Sequence, residues 1–552
     1  MGAAMPSNAE AAARFREIAD LLDVLGERFK PEAYRRASRS IESLSEGLDA
    51  VARRGELRSI PGVGEAIEEK IREYLATGTI AYLERLQREV PAGVVDLMRR
   101  PGLGPKTARR FWVELGIEGP AELRAAIEAG RLNGVKGFGE RKIEQIRSVL
   151  GEAQPPVGGS RLPIETVYPL ARRIAEALRA GSPARDVAIA GSFRRARETV
   201  GDLDLLVTSD EPTRVFDVFS ALPEVKEVRM RGGTKETVVL KNGLQVDLRV
   251  VEPTEFGAAL LYFTGSKDHN VRLRSLARDR GLKINEYGVF RGDERIGGTT
   301  EEEMYAALGL PWIPPELRED RGEIDAARAG TLPRLVEPHD LEGELHAHLP
   351  EKEPSKALEL LVASARARKL RYVGVVVVGA RDDGSVWAAS DDLLRQLARS
   401  RKAGVRAIPV AEVGPGPVPE VVGRLGVEYL VLRPVGRPPS KAELPSGVAP
   451  TRVVAHVGGD PLAVRPWLAL ARTAGAAIEV GPGPERIDSA LARSARELGA
   501  SLAVPMALDE PEDGTTREVA IGFARRAGAR KEDVANARGP PAPRPGATRT
   551  PR

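Results

Sequence analysis

At 552 residues the chain is long enough for three or four domains, each with its own core. Its 42% hydrophobic and 29% charged residues describe a soluble globular protein with aliphatic cores, and zero cysteines exclude disulfides, thiolate metal sites and cysteine nucleophiles. With no run near the ~18 apolar residues of a membrane span and no signal-peptide pattern, the expectation is a cytoplasmic protein; a net charge of +4 permits a nucleic-acid partner only through local charge placement.

Residues 8 to about 150 read as helices almost throughout, with apolar residues three and four apart, as at Phe15, Ile18, Leu21, Leu22 and Leu25. They divide into helical domains at 8–85 and 86–152. One turn pattern occurs three times: Ile60-Pro-Gly62-Val-Gly64, Arg100-Pro-Gly102-Leu-Gly104 and Val135-Lys-Gly137-Phe-Gly139. Each precedes a basic helix, carrying Lys70 and Arg72, then Lys106, Arg109 and Arg110, then Arg141 and Lys142. Paired glycines let backbone N–H groups approach a phosphate, and the helix N-terminus behind them adds partial positive charge. The pattern resembles the helix-hairpin-helix, which holds DNA backbone without reading bases. Residues 1–150 carry 25 Lys and Arg against 23 Asp and Glu, so the grip is local.

Gln154 to Gly159 reads as a linker. From 160 to 255 the pattern changes to a helix (Ile164 to Leu178) and strands: Val187–Ala190, Leu203–Val207 and two flanking the Asn242-Gly243 turn. Asp202 and Asp204 lie two apart on a predicted strand, so both carboxylates point to one face. Asp247, in Gln245-Val-Asp-Leu-Arg249, sits on another strand that could lie beside them. Three acidic donors on rigid neighbouring strands suit two hard divalent cations, Mg²⁺ or Mn²⁺, that activate a hydroxyl and neutralise a triphosphate. Upstream, Gly191 and Ser192 fit a phosphate-contacting turn, with Arg195 adding charge. The bland alternative is Asp-x-Asp as solvated edge decoration.

These segments resemble the nucleotidyltransferase superfamily, through Gly191-Ser192 and Gly201-Asp202-x-Asp204, and within it the bacterial-type DNA polymerase X family. Tyr262-Phe263-Thr264-Gly265-Ser266 looks like that family's sugar-sensing turn, where Tyr262, Phe263 and Gly265 would crowd a ribose 2′ position. The resemblance further implies that Asn270 touches the incoming base, Arg274 lies near the templating base and Arg161 contacts the triphosphate. Positions 269, 267 and 245 depart from the family's vertebrate member, with His, Lys and Gln for an aromatic, an acid and a basic residue. Lys70 aligns with the family's Schiff-base lysine for 5′-deoxyribose phosphate, with Lys30 and Tyr34 lining that pocket; a plain phosphate-neutralising lysine is the alternative.

After Pro333, short apolar runs from Leu345–Leu349 to Leu502–Val504 alternate with helical segments, the rhythm of a β/α barrel or layered sheet. Glu344-Leu-His346-Ala-His348 resembles the opening of the PHP domain that bacterial members carry as a metal-dependent 3′ exonuclease. The chain has only five histidines, one of them His456, and reads Val-Val-Val-Gly-Ala where a metal-binding turn belongs; Glu412 is the other candidate ligand. A catalytically silent PHP domain is expected.

The resulting expectation is a multidomain α/β protein: helical helix-hairpin-helix domains, an α+β palm (153–256), a thumb (257–330), a distorted PHP-like β/α barrel (340–535) and a disordered basic tail (536–552). It would be a monomeric, nucleoid-associated DNA-directed DNA polymerase acting with dNTPs on gapped or nicked duplex DNA. A non-catalytic DNA-end scaffold and an RNA-tailing nucleotidyltransferase are the alternatives.

Overall fold

The computed structural model describes residues 8–27, 29–42, 48–99, 103–132, 135, 138–139, 143, 146, 161–350, 352–380, 386–400, 404–414, 421–422, 425, 427–432, 451–454, 457, 461–483, 486–508 and 514–539. The Gln154–Gly159 linker, Gly102, Gly137, Arg141, Lys142 and His456 lie outside them. The chain forms two compact units, Met1–Ser160 and Arg161–Arg552. No helix among the described residues is long and apolar enough to cross a membrane.

The first unit is helical: α1 (Asn8–Leu25), α2 (Lys30–Glu42), α3 (Leu48–Arg53), α4 (Glu65–Thr77), α5 (Ala81–Glu89), α6 (Ala92–Arg99), α7 (Pro105–Arg109) and α8 (Pro120–Glu128). The α1 stripe predicted by periodicity is buried at Phe15, Ile18, Leu21 and Leu22, within one core reaching Ile146. Gly62 has φ +89°, and a Cβ there would sit 2.7 Å from Arg36 Cγ, so the turn before α4 accepts only glycine without rearrangement.

The second unit begins with β1 (Leu162–Pro163) and α9 (Ile164–Gly181), then β2 (Val187–Ile189), α10 (Gly191–Arg194), β3 (Thr199–Val200), β4 (Asp202–Thr208), α11 (Pro212–Ser220), β5 (Val225–Arg231), β6 (Lys235–Leu240) and β7 (Gln245–Val251). Five of these strands form a sheet in the order β2-β4-β7-β6-β5. The Asn242-Gly243 turn joins β6 to β7 with Gly243 at φ +85°. Next come α12 (Phe256–Thr264), α13 (Lys267–Asp279), a sheet of β8 (Lys283–Asn285), β9 (Gly288–Arg291) and β10 (Glu294–Gly297), α14 (Glu301–Ala307) and α15 (Glu323–Arg328), around a separate small core.

The C-terminal part carries β11 (Gly343–Ala347), α16 (Pro354–Ala367), β12 (Tyr372–Ala380), β13 (Val386–Ala388), α17 (Asp391–Arg399), β14 (Arg406–Val413), β15 (Tyr429–Leu432), β16 (Thr451–Val454), α18 (Pro461–Ala474), β17 (Ala477–Glu479), α19 (Ser489–Glu497), β18 (Ser501–Ala503) and α20 (Thr515–Arg526). Its ladder runs β11-β12-β14-β15-β16-β17-β18, all parallel, with β13 antiparallel on β12. Its apolar runs are buried, as a parallel sheet with covered faces requires.

Two expectations change here. Among the described residues no ladder joins β18 to β11, so this is not a barrel closed by strand pairing. Fully buried Asn536 bridges that edge instead: its Nδ2 donates to Gly343 O (3.0 Å) and Val504 O (2.6 Å), and its Oδ1 accepts from Val504 N (3.0 Å). The basic tail therefore cannot begin at 536, because Asn536 and Ala537 belong to the packed structure. Packing also joins what the sequence divides: one hydrophobic cluster runs from Ile164 on α9 through the five-stranded sheet to Ala537.

Candidate active site

β4 and β7 are parallel neighbours, and their register places Asp204 opposite Asp247. Asp202 begins β4 on the same face as Asp204 and is exposed. Burial first, then the charges of Asp202 and Asp247, push the Asp204 carboxyl up to about 7, with Arg249 and Lys235 opposing. Such a group holds its negative charge reluctantly, and a cation beside it would relieve that. Asp247 is already engaged: Lys235 Nζ (2.6 Å), Thr237 Oγ1 (2.7 Å) and Gln245 Nε2 (3.2 Å) donate to it. As the side chains stand, no three carboxylates or imidazoles among the described residues group closely enough to hold a metal ion. The donor chemistry thus fits divalent cations, while the trio is not pre-assembled around one.

Beside Asp202 and Asp204 opens a cleft of about 500 Å³. Gly191, at φ +64°, lies so close to Asp204 that a Cβ would stand 2.6 Å from its Oδ2. Ser192 Oγ is buried in the cleft wall with no hydrogen-bond partner among the described residues, a group left for something outside the chain. Arg161 also lines the cleft, with Nε donating to Thr199 Oγ1 (2.9 Å) and a second nitrogen to Thr199 O (2.6 Å). Gly201 lets that guanidinium lie flat, since a Cβ would meet it at 2.9 Å.

Arg195 reaches the cleft from α10, its Nε donating to Glu319 (2.9 Å) and its Nη1 to Thr264 O. Gly265, at φ +68°, leaves 3.1 Å for that Nη1, and the Gly265–Ser266 peptide is cis. Tyr262 and Phe263 meet edge to face at 5.1 Å, and Arg249 lies 4.3 Å above the Phe263 ring. Asn270 lines the cleft with its Nδ2 donating to Tyr262 O (2.8 Å), so part of its hydrogen-bonding capacity holds the turn. Arg274 lies one helical turn further along α13.

The structure thus gathers Asp202, Asp204, Arg161, Gly191, Ser192, Arg195, Tyr262, Phe263, Gly265, Asn270 and Arg274 around one cleft, while Asp247 and Gly201 are not among the residues lining it. It adds Arg197, Thr264 and Lys267, which the motifs did not single out. His269 does not face the cleft. It is fully buried, bonded to Glu323 (2.6 Å) and Tyr305 (2.9 Å), and burial lowers its pKa.

Comparison with known proteins accords with this geometry. Residues 161–252 match the DNA polymerase beta palm and 259–319 the DNA polymerase beta thumb. A helix-hairpin-helix domain matches 6–80, and a SAM-like helix-hairpin-helix tandem matches 94–152. The chain is 38% identical over 338 residues to the DNA polymerase/3′-5′ exonuclease PolX of Bacillus subtilis, covering 60% of this chain and 58% of that protein. It is 27% identical to DNA polymerase lambda of Rattus norvegicus, over 57% of this chain and 58% of that one. The chain thus carries regions similar to the palm and thumb of DNA polymerase beta and to a bacterial DNA polymerase of the X family. Its matched part spans less than two thirds of either relative's length.

In the helical unit, Lys70 Nζ donates to Ala66 O (2.9 Å) and lies 4.8 Å above the Tyr82 ring. Tyr82 in turn stacks on Tyr34, which stacks on Phe15. Tyr34 is a buried residue, 6% exposed, and Tyr82 is the aromatic nearer Lys70. Lys30 is exposed and pairs with Glu27 (3.4 Å). Gly64 and Gly104 are N-cap residues of α4 and α7 with no side-chain cap, which leaves the first amides of those helices unclaimed by a capping side chain. Gly139 O accepts from Ile143 N, and Lys106 is exposed. Arg109 is not a free cation: its Nη1 donates to Val24 O (2.9 Å) at the end of α1.

In the C-terminal sheet the His346 and His348 rings lie 5.7 Å apart, and His348 Nε2 is 3.3 Å from Glu412. Buried Glu344 accepts from Leu345 N (2.8 Å) and Met506 N (2.7 Å), and buried Glu479 from Arg486 Nε (3.2 Å).

Proposed function

We propose that this chain is a DNA-directed DNA polymerase that fills short gaps in damaged DNA by metal-dependent nucleotidyl transfer. The observation that carries it is the register of β4 against β7, which sets Asp204 opposite Asp247 at the edge of a cleft walled by the Gly191-Ser192 turn and cations. The primer 3′ oxygen would bond to the α-phosphorus of a dNTP as the bond to pyrophosphate breaks, leaving the DNA one nucleotide longer. Two divalent cations, Mg²⁺ or Mn²⁺, supply charge neutralisation and hydroxyl activation when bound.

Asp202 and Asp204 would hold both cations and Asp247 one of them. Lys235, Thr237 and Gln245 keep Asp247 oriented, and its carboxylate must exchange Lys235 to join the other two. Ser192 Oγ, the Gly191 turn, Arg161, Arg195, Arg197 and Lys267 would receive the triphosphate. Tyr262, Phe263 and Gly265 would exclude a 2′ hydroxyl by volume, while Asn270 and Arg274 lie toward the base. The turns at Gly62 and Gly64, Gly102 and Gly104, and Gly137 and Gly139, with Lys106 behind the second, would hold the DNA backbone.

Two lesser activities follow. Lys70, against the Tyr82 ring, is the candidate amine for 5′-deoxyribose-phosphate removal, with exposed Lys30 at the start of α2 as a backbone contact. The C-terminal sheet is inferred to be silent as an exonuclease, because Glu344 accepts from two backbone amides and Glu479 from Arg486, and the His346, His348 and Glu412 group lacks, among the described residues, the further ligands a multi-metal site needs. The test of the central reading is purified protein on a one-nucleotide-gapped duplex with four dNTPs and each metal in turn. One-nucleotide extension is expected; no extension with either metal would contradict the reading.

A further inference from the structure

The loop between α10 and β3, residues 195–198, carries two of the cleft's cations, Arg195 and Arg197. Its far side is covered by the C-terminal part of the chain, chiefly α20. Arg526, the last residue of α20, is 2% exposed. Its Nη1 donates to Glu319 (2.8 Å) and to the backbone oxygen of Arg195 (3.2 Å). Glu319 accepts from Arg195 Nε (2.9 Å) and lies 3.7 Å from Arg197. One part-buried carboxylate is thus held between a cleft arginine and a C-terminal arginine.

The neighbouring contacts point the same way. A Cβ on Gly522 would stand 2.8 Å from Ala196 Cβ, so α20 approaches the loop as closely as glycine permits. Ala196 itself has φ +50°, a conformation that needs outside support. Ser489, at the start of α19, bonds to Glu198. Arg525 ties α20 to Glu316 and Glu337 (2.6 Å each). Charged groups this deeply buried stabilise poorly compared with apolar packing, so a role in fixing geometry accounts for them better.

We propose that α20 is part of the nucleotide site: Arg526, with Glu319 and the close approach at Gly522, positions Arg195 for the triphosphate of the incoming nucleotide. Arg526 is a positioning residue, since it reaches substrate only through Arg195 and Glu319. The proposal rests on the polymerase reading for the identity of the ligand. It makes the C-terminal part a working component of the polymerase, whatever its own chemistry.

The test uses the full chain, with dNTP Kd measured by titration on gapped DNA bearing a dideoxy-terminated primer, and KM and kcat measured on the extendable duplex. Arg526→Met is expected to raise dNTP Kd and KM about tenfold, with kcat and DNA affinity changed by no more than about threefold. Arg526→Lys should recover part of the loss. Because Arg526→Met removes a buried partner and can fail to fold, Gly522→Ala supplies the second arm. Alanine favours the helix but its Cβ must displace Ala196, so the two effects oppose in Tm while the displaced loop raises dNTP Kd about threefold or more. Lower Tm with unchanged Kd and KM in Arg526→Met, or unchanged Kd in folded Gly522→Ala, would overturn the proposal. If the unsubstituted chain binds dNTP without extending, the polymerase reading fails and the Kd ratios still decide the role of Arg526. If it binds no dNTP, both fall.

Discussion

The five-stranded sheet and the C-terminal sheet both carry carboxylates on their strands, yet they use them oppositely. On β4, Asp202 and Asp204 border a cleft, and burial with two neighbouring carboxylates drives Asp204 up to about 7. On β11 and β17, Glu344 and Glu479 are buried, Glu344 accepting from two backbone amides and one oxygen of Glu479 from Arg486. The first arrangement keeps electrostatic strain that a cation relieves; the second has spent its charge inside the fold. A strand supplies the placement in both cases, and the partners decide whether chemistry remains available.

The comparison breaks most sharply at Asp247. Asp247→Asn keeps the volume and removes one charge, and should cut gap filling on the order of 10³-fold or more, read as single-turnover rate. Tm should fall modestly, because Lys235 loses its counter-ion. Extension at near the unsubstituted rate would move the site elsewhere.

Satisfied carboxylates should instead report in stability. Burial raises the Glu301 carboxyl, but bidentate bonds from Arg318 and Arg194 outweigh it and leave it at about 2 against an ordinary 4.5. A depressed folded pKa contributes stability that is present above about 4.5 and lost as pH falls toward 2. Glu301→Gln should therefore cost about 3–5 kcal/mol at neutral pH, and its thermal unfolding should vary less steeply across that acid window. Identical pH curves would refute this pairing.

Sugar choice tests the cleft wall. Single-nucleotide insertion should favour dATP over ATP by about 10²-fold, because a 2′ hydroxyl has no volume against Tyr262 and Phe263. Equal efficiencies would favour an RNA-tailing enzyme. The smallest effect is expected in the helical unit. Borohydride should trap a protein adduct with DNA bearing a 5′-deoxyribose phosphate, and Lys70→Ala should remove most of it; trapping that survives would name another amine.

The sequence made the carboxylate pattern legible because a strand's period of two puts Asp202 and Asp204 on one face, and the Asn242-Gly243 turn delimits β7. Glycine positions were equally legible, since each answers a local need: Gly191 beside Asp204, Gly62 beside Arg36. Pairings between distant residues were not. Nothing periodic marks Lys235 as the partner of Asp247, or His269 as a core residue tied to Glu323 54 positions later. Arg526 and Arg195 are 331 residues apart, and Asn536 reads as the start of a basic tail until its bonds to Gly343 and Val504 are seen. Side-chain bonds across such distances leave no signature in spacing or composition.

One labelled primer tests both sheets at once. On a one-nucleotide-gapped duplex with Mn²⁺, the chain should lengthen the primer with dNTPs present and should not shorten it when they are absent. The Asp202→Ala, Asp204→Ala double variant, which also removes pyrophosphorolysis, should do neither. Primer shortening that persists in the double variant and disappears on adding His346→Ala would contradict the account, because the C-terminal sheet would then be a working nuclease.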